Sequence, residues 1–353
     1  MTPYWILFSV WAAGAIQFAR RQAGTSHRFF YVAAAIATAL MIGLRFQVGG
    51  DWATYLSIYE DLFFQPLGIA LRQTDPGYAL LNWLSGQGNL GIWVPNLGCA
   101  TLFMAGLGRL ASRQPNPWLA VLVAVPYLII VVAMGYTRQA AAIGIVCWAI
   151  ADASPDRLAR LVVSVAIAAL FHKTAILFLP ILLAPVVTRN PLLAVIGTVA
   201  FVLLANLFLG SASDRLIANY ANSTYDSQGA AIRVAMNVVA AGLFFVFRER
   251  LGFDAFSKSF WTICAILAIV SVVALRSLAA SSGVDRLALF LIPLQVVTFS
   301  RLPYALSERG RPLPSVLLAV LGYSLAVQFV WLNYAANAMY WVPYRTTLLA
   351  AEQ

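Results

Sequence analysis

Apolar residues fill most of the chain in runs of roughly 15 to 20 residues, the length of helices that cross a bilayer core of about 30 Å. Short polar connections separate the runs. The runs lie near 3–19, 29–46, 91–108, 118–136, 139–151, 159–171, 174–187, 191–209, 230–247, 259–275, 287–306 and 314–333. This pattern predicts an all-α polytopic membrane protein with a single bundle of about twelve helices over residues 1–353. The shorter runs 139–151 and 159–171 predict tilted or re-entrant helices that protein shields from lipid.

One long polar stretch interrupts the series after the second apolar run, over about residues 47–90. Aromatic and charged side chains alternate along it. Its two turn signals are Gly49-Gly50 and Asp75-Pro76-Gly77. We predict an outer-face loop that carries short helices and part of a ligand site. A second polar connection, 210–229, is rich in Ser, Asn and Tyr and predicts a lid or a sugar-contacting loop.

Composition supports the membrane assignment and narrows the class of partner. The chain is 61% hydrophobic and 10% charged, with a mean hydropathy of +0.82, whereas a soluble domain is about 25% charged. The net charge of +10 does not indicate nucleic acid, because the basic residues lie in short connections that orient helices and contact anionic lipid. We expect membrane lipids as partners. The first apolar run lacks a cleavage-site pattern, so we interpret it as a membrane helix rather than a signal peptide.

Positive charge predicts the orientation of the bundle. Fourteen of the 23 Lys and Arg residues lie in the alternate connections 20–28, 109–117, 152–160, 188–190, 248–258 and 301–311. This face should be cytoplasmic, with both termini outside. The other nine basic residues are Arg45, Arg72, Arg138, Lys173, Arg215, Arg233, Arg276, Arg286 and Arg345. A charge within the membrane costs several kcal/mol without a partner, so these cations predict an anionic ligand at the outer face.

Two acidic residues in the loop can have either a structural or a chemical role. Asp51 either caps the following helix or accepts a proton or a sugar hydroxyl. The aromatic residues after it either form an interfacial belt or stack on sugar rings. Asp75 begins a sequence that by itself is a turn signal.

Three polar insertions between apolar runs are further candidates. Arg138-Gln139 suits bidentate phosphate binding, although a snorkelling arginine is the alternative. His172-Lys173 interrupts an apolar run and can donate to a pyrophosphate or exchange a proton, although a lone His is often a satisfied hydrogen bonder. Asp285-Arg286 is either a local ion pair or part of the cationic site.

Several familiar signatures are absent from the sequence. It has no phosphate-cradling glycine loop, no HExxH and no nucleophile elbow. Its three cysteines are isolated in apolar runs, and no spacing typical of metal ligands occurs. We therefore expect no metal, no cofactor and no ATP-driven function.

The ordered series of these motifs resembles the EpsG/Wzy-like family of bacterial exopolysaccharide polymerases. The series is Arg45…Gly49-Gly50-Asp51-Trp52…Tyr55, Asp75-Pro76-Gly77, Arg138-Gln139, His172-Lys173, Asp285-Arg286 and Pro343-Tyr344. The resemblance implies a multi-pass glycosyltransferase of the bacterial inner membrane whose active site faces the periplasm. It would join oligosaccharide repeat units carried on undecaprenyl diphosphate and release undecaprenyl diphosphate. Chain-length regulators and export proteins are the protein partners it implies.

The chemistry implied by this resemblance assigns three sets of residues. The candidate catalytic residues are Asp51, His172 and Asp75. The candidate diphosphate-binding residues are Arg138, Lys173, Arg286, Arg45 and Arg276. The candidate sugar-binding residues are Trp52, Tyr55, Tyr59, Tyr78 and Gln139.

Other functions are compatible with the same sequence. A lipid-linked glycan ligase or another glycosyltransferase would use the same cationic residues, and a large outer loop with a catalytic His pair would favour a ligase. A transporter or flippase of lipid-linked sugars would show internal inverted repeats, and no convincing repeat is visible. An O-acyltransferase would need a central histidine in a buried helix, for which His172 is a weak match.

Overall fold

The computed structural model describes residues 1–19, 25–187, 191–209, 229–277, 281–307 and 310–350. This part of the chain is helical, with one isolated β-bridge and no named strand. The helices are α1 Thr2–Gln17, α2 Thr25–Gly43, α3 Trp52–Leu62, α4 Leu67–Gln73, α5 Pro76–Gln87, α6 Trp93–Ser112, α7 Pro117–Ala124, α8 Thr137–Ala151, α9 Leu158–Phe171, α10 Leu179–Val187, α11 Pro191–Leu209, α12 Ala230–Phe247, α13 Ala255–Ser277, α14 Ser281–Ala288, α15 Pro293–Ala305, α16 Pro314–Tyr334 and α17 Thr347–Ala350.

Each predicted apolar run overlaps a helical segment, although several boundaries differ. Among the described residues, five segments are long and apolar enough to cross a membrane by length and composition, namely 192–209, 230–247, 255–277, 284–305 and 314–334. Five shorter apolar helices accompany them. The chain therefore forms an all-helical membrane protein, while the count of twelve crossings stays a prediction, as does its organisation as a single domain.

Helix α7 forms the centre of the bundle. All its residues from Trp118 to Ala124 are buried, which is typical of a helix enclosed by other helices. Asn116 caps it by accepting a hydrogen bond from the Leu119 N–H at 3.0 Å. The helix continues as a π-helix over Val125–Ala133. Pro126 lies at the start of this segment, and because proline has no N–H, the regular hydrogen-bond ladder cannot continue through it.

Two glycines allow α6 and α8 to pack closely. A Cβ at Gly106 would overlap the backbone of Gly144, and a Cβ at Gly144 would overlap the backbone of Phe103. Close backbone approach at small residues is the usual means by which membrane helices associate. The contact fixes α8, whose first turn carries Arg138 and Gln139.

The polar stretch after α2 forms the three short helices α3, α4 and α5. The segment after α16 folds against the start of this stretch. The Phe46 N–H donates to the Arg345 carbonyl at 3.0 Å, and the Gly49 N–H donates to the Tyr340 carbonyl at 2.9 Å. The Trp341 ring is buried and its Nε1–H donates to the Ile130 carbonyl at 2.8 Å. The C-terminal segment therefore fixes the loop that leads to α3.

The predicted lid or sugar-contacting loop at 210–229 lies outside the described residues, except for Gly229. The location of the α3–α5 region at the outer face of the membrane also stays a prediction.

Candidate active site

An ion pair between Asp75 and Arg138 is the centre of the candidate site. The Arg138 Nη1 lies 2.9 Å from the Asp75 Oδ2 and also donates to the Thr74 Oγ1 at 2.9 Å. The Lys173 N–H donates to the other oxygen of Asp75 at 3.2 Å. Three separate elements therefore meet at this carboxylate: the start of α5, the first turn of α8 and the break after α9.

The sequence after Asp75 explains how this carboxylate reaches the break after α9. Pro76 starts α5, a position where its missing N–H is not needed. A Cβ on Gly77 would come within 3.1 Å of the Leu170 carbonyl oxygen, so glycine allows α5 to approach the end of α9. The turn predicted at Asp75-Pro76-Gly77 is thus a helix start that docks against α9.

His172 is buried beside Asp75. Its backbone is extended between α9 and a short 3-10 helix, which explains the polar break in the apolar run. The Nδ1 lies 3.9 Å from the Asp75 Oδ2, and neither ring nitrogen has a hydrogen-bond partner. The Arg138 Nε and the Thr174 Oγ1 are also buried without partners. Buried polar atoms nearly always have partners, so this group has unused capacity to bind a ligand.

The two candidate carboxylates are in different electrostatic states. Burial by itself would raise the pKa of Asp75, but the nearby His172, with Arg138 and the Lys173 N–H, lowers its pKa below the ordinary value. Burial raises the pKa of Asp51, and the charges of Arg286 and Arg138 offset only part of that rise. Asp51 makes no capping hydrogen bond to α3. Its carboxylate lies within the influence of Arg286 and of Arg138, which also acts on Asp75, and no hydrogen bond joins Asp51 to either arginine.

The candidate diphosphate-binding residues do not share one environment. Arg138 contacts the Asp75 carboxylate through its guanidinium, and Lys173 contacts it through its backbone N–H. Arg286 is exposed, and its charge acts on both Asp51 and His172. Gln139 links the two regions, because its Nε2–H donates to the Arg286 carbonyl at 2.6 Å.

Arg45 and Arg276 are placed differently from these cations. Arg45 is fully buried, and it donates to the Val48 and Ile42 carbonyls at 3.1 and 2.7 Å and to the Thr137 Oγ1 at 2.6 Å. It therefore ties the loop after α2 to the first residue of α8. Arg276 is exposed at the end of α13, and none of the described contacts joins it to the site.

Three of the four candidate sugar-stacking aromatics are buried. Tyr55, Tyr59 and Tyr78 are at most 8% exposed and pack in one cluster. The Arg138 guanidinium lies 5.8 and 6.0 Å from the ring centres of Tyr55 and Tyr78, within the range of cation–π attraction. The rings of Tyr55 and Tyr78 therefore position Arg138. Trp52 is half-buried at the start of α3 and keeps part of its surface accessible.

Sequence reasoning missed two threonines and underused one arginine. Thr74 and Thr137 each accept a hydrogen bond from a key arginine, and only their positions next to Asp75 and Arg138 signalled them. From its position in the sequence, Arg233 is predicted only as one of nine cations toward the outer face. It pairs with Asp285 through both carboxylate oxygens, at 2.6 Å for Nη2 to Oδ2.

An apolar groove, which we call groove A, has in its lining the residues that follow two of the candidate cations. It is lined by the 3-10 helix after His172, by α13 and by α14, and its volume is about 270 Å³. Its lining includes Thr174, which follows Lys173, and Leu287, which follows Arg286. No three His, Cys, Asp or Glu side chains of the described residues come together as a metal site.

The family comparison decides the class of the protein. A model of the EpsG family matches residues 28–346. The chain belongs to the EpsG family. No curated protein and no solved structure matches it. The family match covers every candidate site residue, and it indicates a polysaccharide polymerase-like, glycosyltransferase-like role. The apolar helices agree with a membrane protein of polysaccharide biosynthesis, for which a lipid-linked substrate is suitable.

Proposed function

We propose that this EpsG-family chain is a glycosyltransferase that joins oligosaccharide repeat units carried on undecaprenyl diphosphate. It works at the outer face of the bacterial inner membrane, as a single domain, and releases undecaprenyl diphosphate. Chain-length regulators and export proteins are its expected partners. The observation that carries the proposal is the meeting of Arg138, His172 and Lys173 at one carboxylate, with both ring nitrogens of His172 buried and unpartnered.

The reaction replaces one bond at the anomeric carbon of the donor by another. A hydroxyl oxygen of the acceptor sugar bonds to that carbon, and the bond from the carbon to the diphosphate oxygen breaks. The electron pair of the broken bond stays on the diphosphate, which leaves with increased negative charge. Fixed cations that face this developing charge lower the barrier, and losing a single donor of this kind costs roughly 10²- to 10³-fold in rate.

The cations near Asp75 suit this diphosphate. Arg138 is held by Asp75, Thr74 and two aromatic rings, so little ordering is needed when the substrate binds. Lys173 and Arg286 directly precede Thr174 and Leu287, which line groove A. An isoprenoid tail in groove A would place its diphosphate beside these cations and the unpartnered His172. We assign Arg45 to positioning the loop and α8, because its donors are already bonded to the protein.

The proton of the attacking hydroxyl needs an acceptor, and Asp51 is the best candidate. Its raised pKa makes it a stronger base than an ordinary aspartate. Asp75 is a weaker choice, because its pKa is lowered and both of its oxygens are engaged. We therefore assign Asp75 to positioning Arg138 and Lys173. His172 is assigned to hydrogen bonding with the diphosphate.

Reconstitution tests this proposal directly. The full chain in proteoliposomes, supplied with lipid-linked repeat units extracted from its host, should produce a ladder of products that grow by one repeat unit. A single transfer to a different acceptor would instead indicate a ligase, and movement of the substrate across the bilayer without bond formation would indicate a flippase. Either outcome would overturn the polymerase assignment.

A further inference from the structure

A second apolar groove, groove B, lies between α12 and α16. It is larger than groove A, with a volume of about 560 Å³. Its wall includes the aromatic residues Tyr127, Tyr323, Trp331 and Tyr334, and the charged residue in its described lining is Arg233. An apolar wall with one cation is complementary to an isoprenoid chain that carries phosphate.

The short helix α14 connects the two grooves. Its Val284 and Leu287 line groove A. Between them, Asp285 binds Arg233, which lines groove B. The next residue, Arg286, exerts its charge on Asp51 and His172. Two adjacent residues of one helix therefore join groove B and the candidate active site.

The proposed function, on which this inference rests, requires two lipid-linked substrates at the same time. The donor loses its diphosphate at the reacting carbon, so the donor tail must begin close to the catalytic cations. The acceptor reacts through a sugar hydroxyl at the far end of its repeat unit. Its own diphosphate and tail therefore bind at a position separate from that of the donor, with the sugars of the repeat unit between them and the reaction centre. One groove cannot hold both tails at the same time.

We propose that groove B binds the isoprenoid tail of the acceptor substrate, while groove A binds that of the donor. The charges agree with this division. The bidentate pair with Asp285 partly neutralises the positive charge of Arg233. A weaker positive charge suits a diphosphate that keeps its bond to the sugar. Lys173 and Arg286 each precede a residue that lines groove A, where charge develops on the leaving group. The reaction would then proceed across α14.

Photo-labelling tests the binding of lipid to groove B without requiring activity. The probe is undecaprenyl diphosphate with a diazirine on its tail, mixed into proteoliposomes of the full chain. Mass spectrometry should find labelled peptides from α12 and α16 as well as from α13 and the segment after His172. Ala326→Trp, which fills groove B, should lower the α12 and α16 labelling by roughly tenfold, as expected for overpacking of a fitted site.

Matched variants distinguish probe binding in the grooves from probe binding to the exposed apolar surface. Leu325 neighbours Ala326 but faces outward and is 47% exposed, so Leu325→Trp should leave both sets of labels within about twofold. Ala274→Trp should reduce only the groove A labels, because Ala274 lines that groove. Label confined to groove A would overturn the inference. So would displacement of the groove B label by phosphatidylglycerol as readily as by unlabelled undecaprenyl diphosphate, since that indicates an ordinary bilayer lipid.

A two-substrate assay tests which substrate uses groove B. A repeat unit joined to undecaprenyl diphosphate through an uncleavable methylene can serve only as acceptor, and a lipid-linked oligomer methylated at its attacking hydroxyl can serve only as donor. Ala326→Trp should raise the KM for the acceptor by roughly tenfold and leave that for the donor within about twofold. A rise for the donor alone would overturn the assignment. Absence of product from the unmodified chain, with both grooves labelled, would instead refute the proposed polymerase.

Discussion

The two ends of the bundle treat their charged residues differently. At the end that we predict to be cytoplasmic, Asp152 accepts hydrogen bonds from Arg109 at 2.8 Å and from Arg113 at 2.6 Å. Arg301 donates to Gln114 and Leu251 at 2.7 and 2.9 Å. We call these six residues the inner cluster. Their charges are bonded within the protein, as expected for residues that hold connections together.

The outer cluster of Asp75, Arg138 and His172 is less complete. Its ion pair is formed, but the Arg138 Nε and both His172 nitrogens are buried without partners. Leaving such atoms unbonded costs about 1 to 3 kcal/mol each. The comparison teaches that charge density alone does not mark a ligand site. A charged cluster becomes a candidate site when its buried polar atoms exceed the partners that the protein supplies.

The largest contrast is expected between Arg138→Ala and Arg109→Ala. Arg138→Ala should abolish polymer formation, a loss of at least about 10²-fold, because it removes a fixed cation at the leaving diphosphate. Arg109→Ala removes an inner cation and should change the rate by less than about twofold. Product ladders from reconstituted protein measure both. Size-exclusion chromatography in detergent should show both variants folded, and polymer of normal length from Arg138→Ala would remove its diphosphate role.

The second largest effect is expected from replacing Asp51, the proposed acceptor of the hydroxyl proton. Asp51→Asn should lower turnover by roughly 10²-fold with little change in donor KM, because proton transfer by a positioned side chain contributes about this much. The inner control, Asp152→Asn, should lower the thermal midpoint and spare the turnover of the folded fraction. Equal loss of turnover and donor binding in Asp51→Asn would assign Asp51 to binding instead.

A smaller effect separates ligand binding from stability. His172→Gln should reduce the rate by roughly tenfold, the worth of a hydrogen bond to a charged group. Its thermal midpoint should change little, because the native ring makes no hydrogen bond within the protein. Asn116→Ala should do the opposite, since removing a helix cap costs about 1 kcal/mol of stability. A large loss of stability in His172→Gln with normal activity would identify a core histidine.

The smallest expected effect is that of lowering the pH, which should act differently on Asp51 and Asp75. Because the pKa of Asp51 is raised, the rate should begin to fall at a higher pH than for an ordinary aspartate, and Asp51→Asn should remove that limb of the pH–rate profile. The lowered pKa of Asp75 means that the unfolded state binds its proton more readily than the folded state. Its contribution to stability is therefore present above the unfolded pKa and is lost as the pH falls through the lowered folded value. Unfolding measured against pH in Asp75→Asn should lack this acid-side loss.

The helices were largely predictable because apolar length is a local property. The run near 191–209 matches α11, and the run near 230–247 matches α12. Boundaries were harder wherever the backbone changes helix type. The run predicted over 118–136 changes from an α-helix to a π-helix over Val125–Ala133, and the run from 287 contains a 3-10 turn at Leu289–Leu291. These changes depend on proline and on packing rather than on hydrophobicity.

The amino-acid sequence by itself determined the membrane class, the apolar runs and the motifs that resemble the EpsG family. It also singled out Arg138, His172 and Asp75 as chemically expensive in an apolar chain. Only the tertiary structure decided that Arg45 is satisfied by nearby carbonyls and Thr137, whereas Arg138 meets Asp75 beside an unpartnered His172. The physical reason is that a polar atom's free capacity depends on partners far away in the chain, and no local pattern records which of them will reach it.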